Sequence, residues 1–169
     1  MCRGRLDLGI ARAGGIGSAL VETVGDYWAP CPSGRPMLLL PVYESPHKLG
    51  DLTDVIAFEP SRPMRWFVRT GGARALGSWT IDVTRSATPM WKLPGDEPPA
   101  LRIYRHPINW LRASCAGAVI LHPSWSAYLL HRLRVVPEDV LHGRAIKASC
   151  ELASVPEILI QVDEATVAA

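Results

Sequence analysis

The sequence holds no C-x-x-C pair, no closely spaced Cys/His set and no H-E-x-x-H, so the common zinc arrangements have no ligands here. Its four cysteines, Cys2, Cys31, Cys115 and Cys150, are too widely separated to resemble a disulfide framework. Free thiols in a reducing compartment are the expectation. No G-x-S-x-G occurs, which removes the nucleophile elbow. Gly14-Gly15-Ile16-Gly17-Ser18 is followed by no Lys-Ser/Thr and by no acidic residue closing a second strand. Neither a P-loop nor a dinucleotide turn is therefore expected. The longest apolar runs, Met37–Tyr43 and Ala116–Leu121, are too short to span a bilayer. Asp7 and Arg12 interrupt any signal-peptide core. A cytoplasmic protein with no membrane partner, no cofactor and no metal is expected. Lysine is scarce too: Lys48, Lys92 and Lys147 are the only three among 18 basic residues. Arginine suits bidentate phosphate and carboxylate recognition, although a GC-rich coding bias yields the same ratio without functional meaning.

What is present is the composition of a globular chain. Its 169 residues are 48% apolar and 20% charged, enough for one domain, 1–169, with a core that needs no metal or disulfide. The net charge is only +2, but it is uneven. Residues 61–115 carry nine Lys and Arg against three Asp and Glu, while residues 36–60 carry one against four and residues 148–169 none against four. A basic middle attracts an anionic partner locally, unless the acidic flanks neutralise it in the fold.

Apolar spacing predicts a helix over 15–28, from Ile16, Leu20, Val24 and Tyr27, stopped by Pro30 and Pro32. Met37–Tyr43 reads as a strand with Pro41 at an edge or end. Asp54–Phe58 and Arg65–Arg69 read as a β-hairpin across the turn residues 59–63, and a further strand is expected near Trp79–Val83. Residues 86–100 hold four prolines and form a long loop of the kind that is often functional. Beyond it, strands at Leu101–Tyr104, Ala116–Leu121 and Glu157–Gln161 alternate with helices at Pro107–Ser114, Pro123–Leu133 and 137–152. The helix at Pro123–Leu133 is expected to bury Trp125, Tyr128, Leu129 and Leu133, and the last helix to bury Leu141, Ala145, Ala148 and Leu152. The fold class that follows is α/β or α+β: a single domain whose β-meander N-terminal half and βαβ C-terminal half share one mixed sheet.

Strand alternation puts Arg65, Phe67 and Arg69 on one face, and Arg102 with Tyr104 on another. Rings flanked by arginine on a sheet surface stack bases and pair phosphates, so these five are the candidate nucleic-acid residues. The structural alternative is a half-exposed sheet whose arginine stems cover apolar surface. His106-Pro107 and His122-Pro123 each follow a strand and open a helix. This is either repeated punctuation with proline at the first helical position, or two histidines at strand carboxyl ends, where open α/β sheets bind ligands. Met90 and Trp91 on the long loop are candidate anchors for a protein partner. His47, His131 and His142 lack ligand spacing; Asp54 and Glu59, bracketing a strand beside Asp51, point to opposite faces of it; Cys115 fits a small residue at a helix end.

The stretch Asp54-Val-Ile-Ala-Phe-Glu-Pro-Ser-Arg-Pro-Met-Arg-Trp-Phe-Val-Arg-Thr-Gly, with Asn109-Trp110-Leu111-Arg112, resembles small prophage-encoded bacterial proteins. That resemblance implies a mobile-element context and carries over no functional residue. The leading expectation is a non-enzymatic binding protein acting on nucleic acid or on a nucleic-acid enzyme. An enzyme with its site near His106 and His122, and an interaction module using the Trp91 loop, stand beside it.

Overall fold

The computed structural model describes residues 15–44, 52–62, 64–87 and 99–152. Five strands close into a barrel in the order β1-β2-β5-β4-β3: β1 (Gly17–Val24), β2 (Tyr27–Pro30), β3 (Arg35–Tyr43), β4 (Leu52–Phe58) and β5 (Trp66–Val68). All neighbours are antiparallel except β2 and β5, which close the barrel in parallel where Tyr27 meets Val68. Each strand contributes one buried side chain to the interior: Val21, Trp28, Met37, Ala57 and Phe67.

The expected helix over 15–28 is instead the β1–β2 hairpin. Its loop is the dipeptide Gly25-Asp26, with Val24 paired to Tyr27 and Gly25 at φ +59°. Tight hairpins favour glycine in this left-handed conformation, and the Val21, Thr23 and Val24 side chains suit a pleated surface. The strand at Met37–Tyr43 and the hairpin joining Asp54–Phe58 to Arg65–Arg69 are present as β3, β4 and β5. Pro41 pairs with Val55 of β4 but lies beyond the start of β1, whose Gly17 sits opposite Leu39, so it occupies a local edge.

The second half does not extend the barrel sheet, contrary to the single shared sheet expected. It builds a separate four-stranded sheet, β6-β8-β7-β9, from β6 (Ala75–Leu76), β7 (Ala100–Tyr104), β8 (Ala118–Ile120) and β9 (Arg134–Pro137). Strand β7 is parallel to both β8 and β9, and β6 is antiparallel to β8. The α/β class holds, with strands dominating the first half and βαβ elements the second. The sheets share one core: Leu40, Val42, Ile56 and Phe58 on the barrel's outer face pack with Leu76, Trp110, Val119 and Leu121. The molecule is therefore a single compact domain.

Among the described residues, four helices accompany the second sheet: α1 (Ser78–Ala87), α2 (Pro107–Arg112), α3 (Ser126–Leu129) and α4 (Val140–Leu152). Helix α1 replaces the strand expected near Trp79–Val83. Ser78 and Gly77 start it, through Ser78 Oγ to the Ala75 carbonyl at 2.9 Å and Thr80 N–H to the Gly77 carbonyl, and Ile81 and Thr84 form its buried face. The helix expected at Pro123–Leu133 is broken into a 3-10 turn (Pro123–Trp125) and the single turn of α3, and Arg132 adopts φ +61° beyond it. Helix α4 starts later than expected because residues 134–137 pair with β7. Its expected stripe at Leu141, Ala145, Ala148 and Leu152 faces solvent, and His142 is the buried residue.

Gly117 is required where it stands. It adopts φ +89°, and a Cβ there would come within 2.4 Å of the Arg102 carbonyl oxygen. Its own carbonyl accepts the Trp110 Nε1–H at 3.0 Å, tying α2 to β8. The expected strand Glu157–Gln161 and the core of the 86–100 loop, with Met90 and Trp91, lie outside the described residues.

Candidate functional site

The five residues expected to face nucleic acid occupy two different sheets. Arg65, Phe67 and Arg69 flank and form β5, whereas Arg102 and Tyr104 lie on β7. Phe67 is only 4% exposed and belongs to the barrel interior, so its ring offers no face to a base. Alternation placed the three residues on one face as expected, but barrel closure makes that face the inside. Arg65 lies 5.0 Å over the Phe67 ring, and Arg69 lies 5.4 Å over Trp28 and donates to its carbonyl at 3.3 Å. The two arginines thus cover core rings from opposite ends of β5. Arg102 sits 5.7 Å from the half-buried Tyr104 ring.

The exposed aromatic surface is elsewhere. Pairing of Ala75 with Ile120, extended by the Leu121 N–H to the Arg74 carbonyl at 2.9 Å, sets Arg74 beside the end of β8. The 3-10 turn that follows then brings Trp125 under the Arg74 guanidinium, 4.0 Å from the ring centroid. Tyr128 meets Trp125 edge to face at 5.8 Å. Trp125 is 37% and Tyr128 63% exposed. Arg85 braces this segment by donating to the Leu129 carbonyl at 2.8 Å while pairing with Asp82 at 3.0 Å. Sequence reading missed both rings because their three-residue spacing also fits a buried helical stripe. Pro123 just before Trp125 was the available sign of a turn.

Two clefts adjoin this segment and share Arg85 and Tyr128. One of about 220 Å³ is lined by Gly72, Arg74, Arg85 and Tyr128, and a shallow one of about 490 Å³ by Arg85, Ala127, Tyr128 and His131. A third, of about 290 Å³, lies at the seam between barrel and sheet and includes Asp26, Arg65, Trp66 and His122. Arg65 and His122, picked out in sequence for different reasons, thus line one cleft.

His106 and His122 do follow neighbouring parallel strands, β7 and β8, and each caps the helical turn behind it without a side-chain cap bond. His106 Nδ1 and His122 Nε2 are both buried with no hydrogen-bond partner among the described residues. Helices α2 and α4 pack on opposite faces of the sheet, through Ile108 and Trp110 and through Ile146. The carboxyl ends of β7 and β9 are therefore a topological switch point. A polar network fills it. Glu138 accepts the Arg105 N–H and the Asn109 side-chain amide, both at 2.8 Å, and Asp139 binds Arg105 at 2.8 Å and the His142 N–H at 2.8 Å. Burial holds the pKa of His106 and of His142 below the ordinary histidine value, which favours the neutral imidazole in both. Asp139 is held low first by the His142 N–H and further by Arg105.

Asp54 is absorbed by structure. Its Oδ1 accepts the backbone N–H groups of Val55, Arg69 and Thr70 at 2.7–3.0 Å, and Oδ2 those of Gly71 at 2.8 Å and Ala73 at 3.4 Å. Burial alone would raise its pKa, but these N–H groups outweigh burial and lower it. Glu59 pairs instead with Arg35 at 3.4 Å and Arg62 at 3.8 Å, so the two acids share no site. Among the described residues no cluster of His, Cys, Asp and Glu is arranged to hold a metal ion. Burial raises the Cys115 pKa, which keeps it a thiol rather than a nucleophilic thiolate. No described helix is long and apolar enough to cross a membrane. No family model matches the chain, and no curated protein and no solved structure is significantly similar to it.

Proposed function

We propose that this chain is a binding protein for single-stranded nucleic acid, in the mobile-element context that its prophage resemblance implies. The interface is the segment 122–131 with Arg74 and Arg85. One observation carries the reading: an arginine stacked at 4.0 Å on an exposed tryptophan, with an exposed tyrosine beside it. Single-strand binders combine such rings, on which bases stack, with guanidinium groups that track the phosphates. The rings are pre-positioned by the 3-10 turn and the β6–β8 pairing, so little ordering cost remains for binding. Arg102, at the Tyr104 ring, adds positive charge outside this surface. The test is a fluorescence-anisotropy titration with single-stranded DNA and RNA, comparing the wild type with Trp125→Ala and Tyr128→Ala. Each variant is expected to weaken binding at least fivefold; unchanged affinity in both removes the reading.

A second reading, catalysis at the strand carboxyl ends, draws on the unpartnered buried nitrogens of His106 and His122 at or beside the switch point. It predicts turnover of a bound substrate that His106→Ala and His122→Ala abolish. Oligonucleotides recovered intact after long incubation count against it. Exposed Trp125 and Tyr128 also have the character of protein-interface anchors. Ring-dependent capture of a protein, with no oligonucleotide binding, would favour that role.

A further inference from the structure

We infer that the cleft at the seam between barrel and second sheet is a pocket for one unstacked nucleotide of the bound strand. The inference rests on the single-strand reading above and goes beyond it, because the cleft adds Asp26, Arg65 and Trp66, which lie outside the 122–131 segment. His122 and Pro123 form its wall and lead directly into the turn that carries Trp125. A strand stacked on Trp125 therefore passes the mouth of the cleft.

The lining suits a nucleotide. Val68, Leu121 and Pro123 supply apolar surface, and the half-buried Trp66 supplies an aromatic wall against which a base lies. Arg65 lines the cleft and makes no ion pair among the described residues, so its guanidinium has donors for a phosphate. The Asp26 carboxylate, on a hairpin turn tied down by the Val68 N–H to its carbonyl at 2.9 Å, accepts from the amino edge of a base. His122 lines the cleft, and its buried Nε2 has no hydrogen-bond partner among the described residues, a rare state in folded proteins. The volume, about 290 Å³, lies just below the range of ligand sites, roughly 300–1,000 Å³, which suits a single small unit of the strand.

The experiment scans a single abasic residue along a short oligonucleotide and measures affinity at each position by anisotropy. One position is expected to lose at least tenfold more affinity than its neighbours. That contrast is expected to vanish in His122→Ala and in Arg65→Gln, with both variants checked for a wild-type circular-dichroism spectrum. A flat abasic profile with binding still dependent on Trp125 overturns the pocket and leaves the single-strand reading standing. A contrast unaltered in both variants overturns the assignment to this cleft. Absence of any oligonucleotide binding at low salt overturns both.

Discussion

Replacing Asp54 with alanine removes one acceptor from five backbone N–H groups at once. Four of those bonds are 2.7–3.0 Å long and all end on a charged carboxylate. Hydrogen bonds to charged groups contribute about 1.5–3 kcal/mol each, and a buried donor left unpaired costs about 1–3 kcal/mol. Not every donor is left unpaired: the Arg69 N–H also donates to the Val55 carbonyl at 3.0 Å and Thr70 is exposed to water, while Ala73 is buried and Gly71 half-buried. Counting the donors that cannot resolvate gives a loss on the order of 3–5 kcal/mol, a large share of the roughly 5–15 kcal/mol of a domain. The expected fall in Tm is on the order of 10 °C. Asp54→Asn keeps one acceptor but turns an amide NH₂ toward other N–H donors, so it recovers at most half of the loss. Urea unfolding followed by circular dichroism reads both variants. The pH dependence gives an independent check. The folded pKa lies below the ordinary aspartate value of 3.8. The carboxylate therefore stabilises the fold above the unfolded pKa, and that contribution disappears as pH falls through the folded value. The gap between wild type and Asp54→Asn is expected to close below about pH 4. A loss under about 1 kcal/mol for Asp54→Ala, or a gap that does not depend on pH, refutes the assignment of the 69–73 segment to this carboxylate.

Gly117→Ala, at φ +89° with the Arg102 carbonyl 2.4 Å from the new Cβ, is expected to cost at least about 2 kcal/mol in urea unfolding. Loss of one stacking ring, as in Tyr128→Ala, costs about 1–3 kcal/mol of binding per base while thermal stability stays within about 0.5 kcal/mol of wild type, because the ring is 63% exposed. His142 is held neutral by burial, so its folded pKa is below 6.5 and the folded state binds fewer protons than the unfolded one. Stability is therefore full above pH 6.5 and falls as pH drops through the folded pKa. The fall is expected to flatten in His142→Gln, and a slope identical to wild type between pH 6.5 and 5 contradicts it.

Much of the strand content was legible because its signals are local. Met37–Tyr43 is a continuous apolar run, and Pro60 with its polar neighbours marks the β4–β5 turn. The first hairpin was not legible, because Ile16, Leu20 and Val24 recur at intervals of four, which fits one face of a helix and one face of a strand equally. Only Gly25-Asp26 distinguished them. The α4 stripe was displaced by one position: Leu141 and Leu152 look like core residues, yet the chain leaves β9 so that His142 and Ile146 turn inward. For the site, alternation correctly grouped Arg65, Phe67 and Arg69. Which side faced solvent depended on the parallel closure of β2 on β5, where Tyr27 meets Val68, a long-range pairing that no local pattern encodes. The Arg74–Trp125 stack likewise depends on β6 meeting β8.

The most direct measurement is the affinity of the purified protein for a single-stranded oligonucleotide at two salt concentrations, with duplex of the same sequence as the comparison. Interface arginines and stacking rings predict micromolar or tighter single-strand binding that weakens as salt rises, with duplex at least tenfold weaker because its bases are unavailable to Trp125 and Tyr128. No binding at low salt, or equal binding of strand and duplex that ignores Trp125→Ala, contradicts the assignment of this surface to single-stranded nucleic acid.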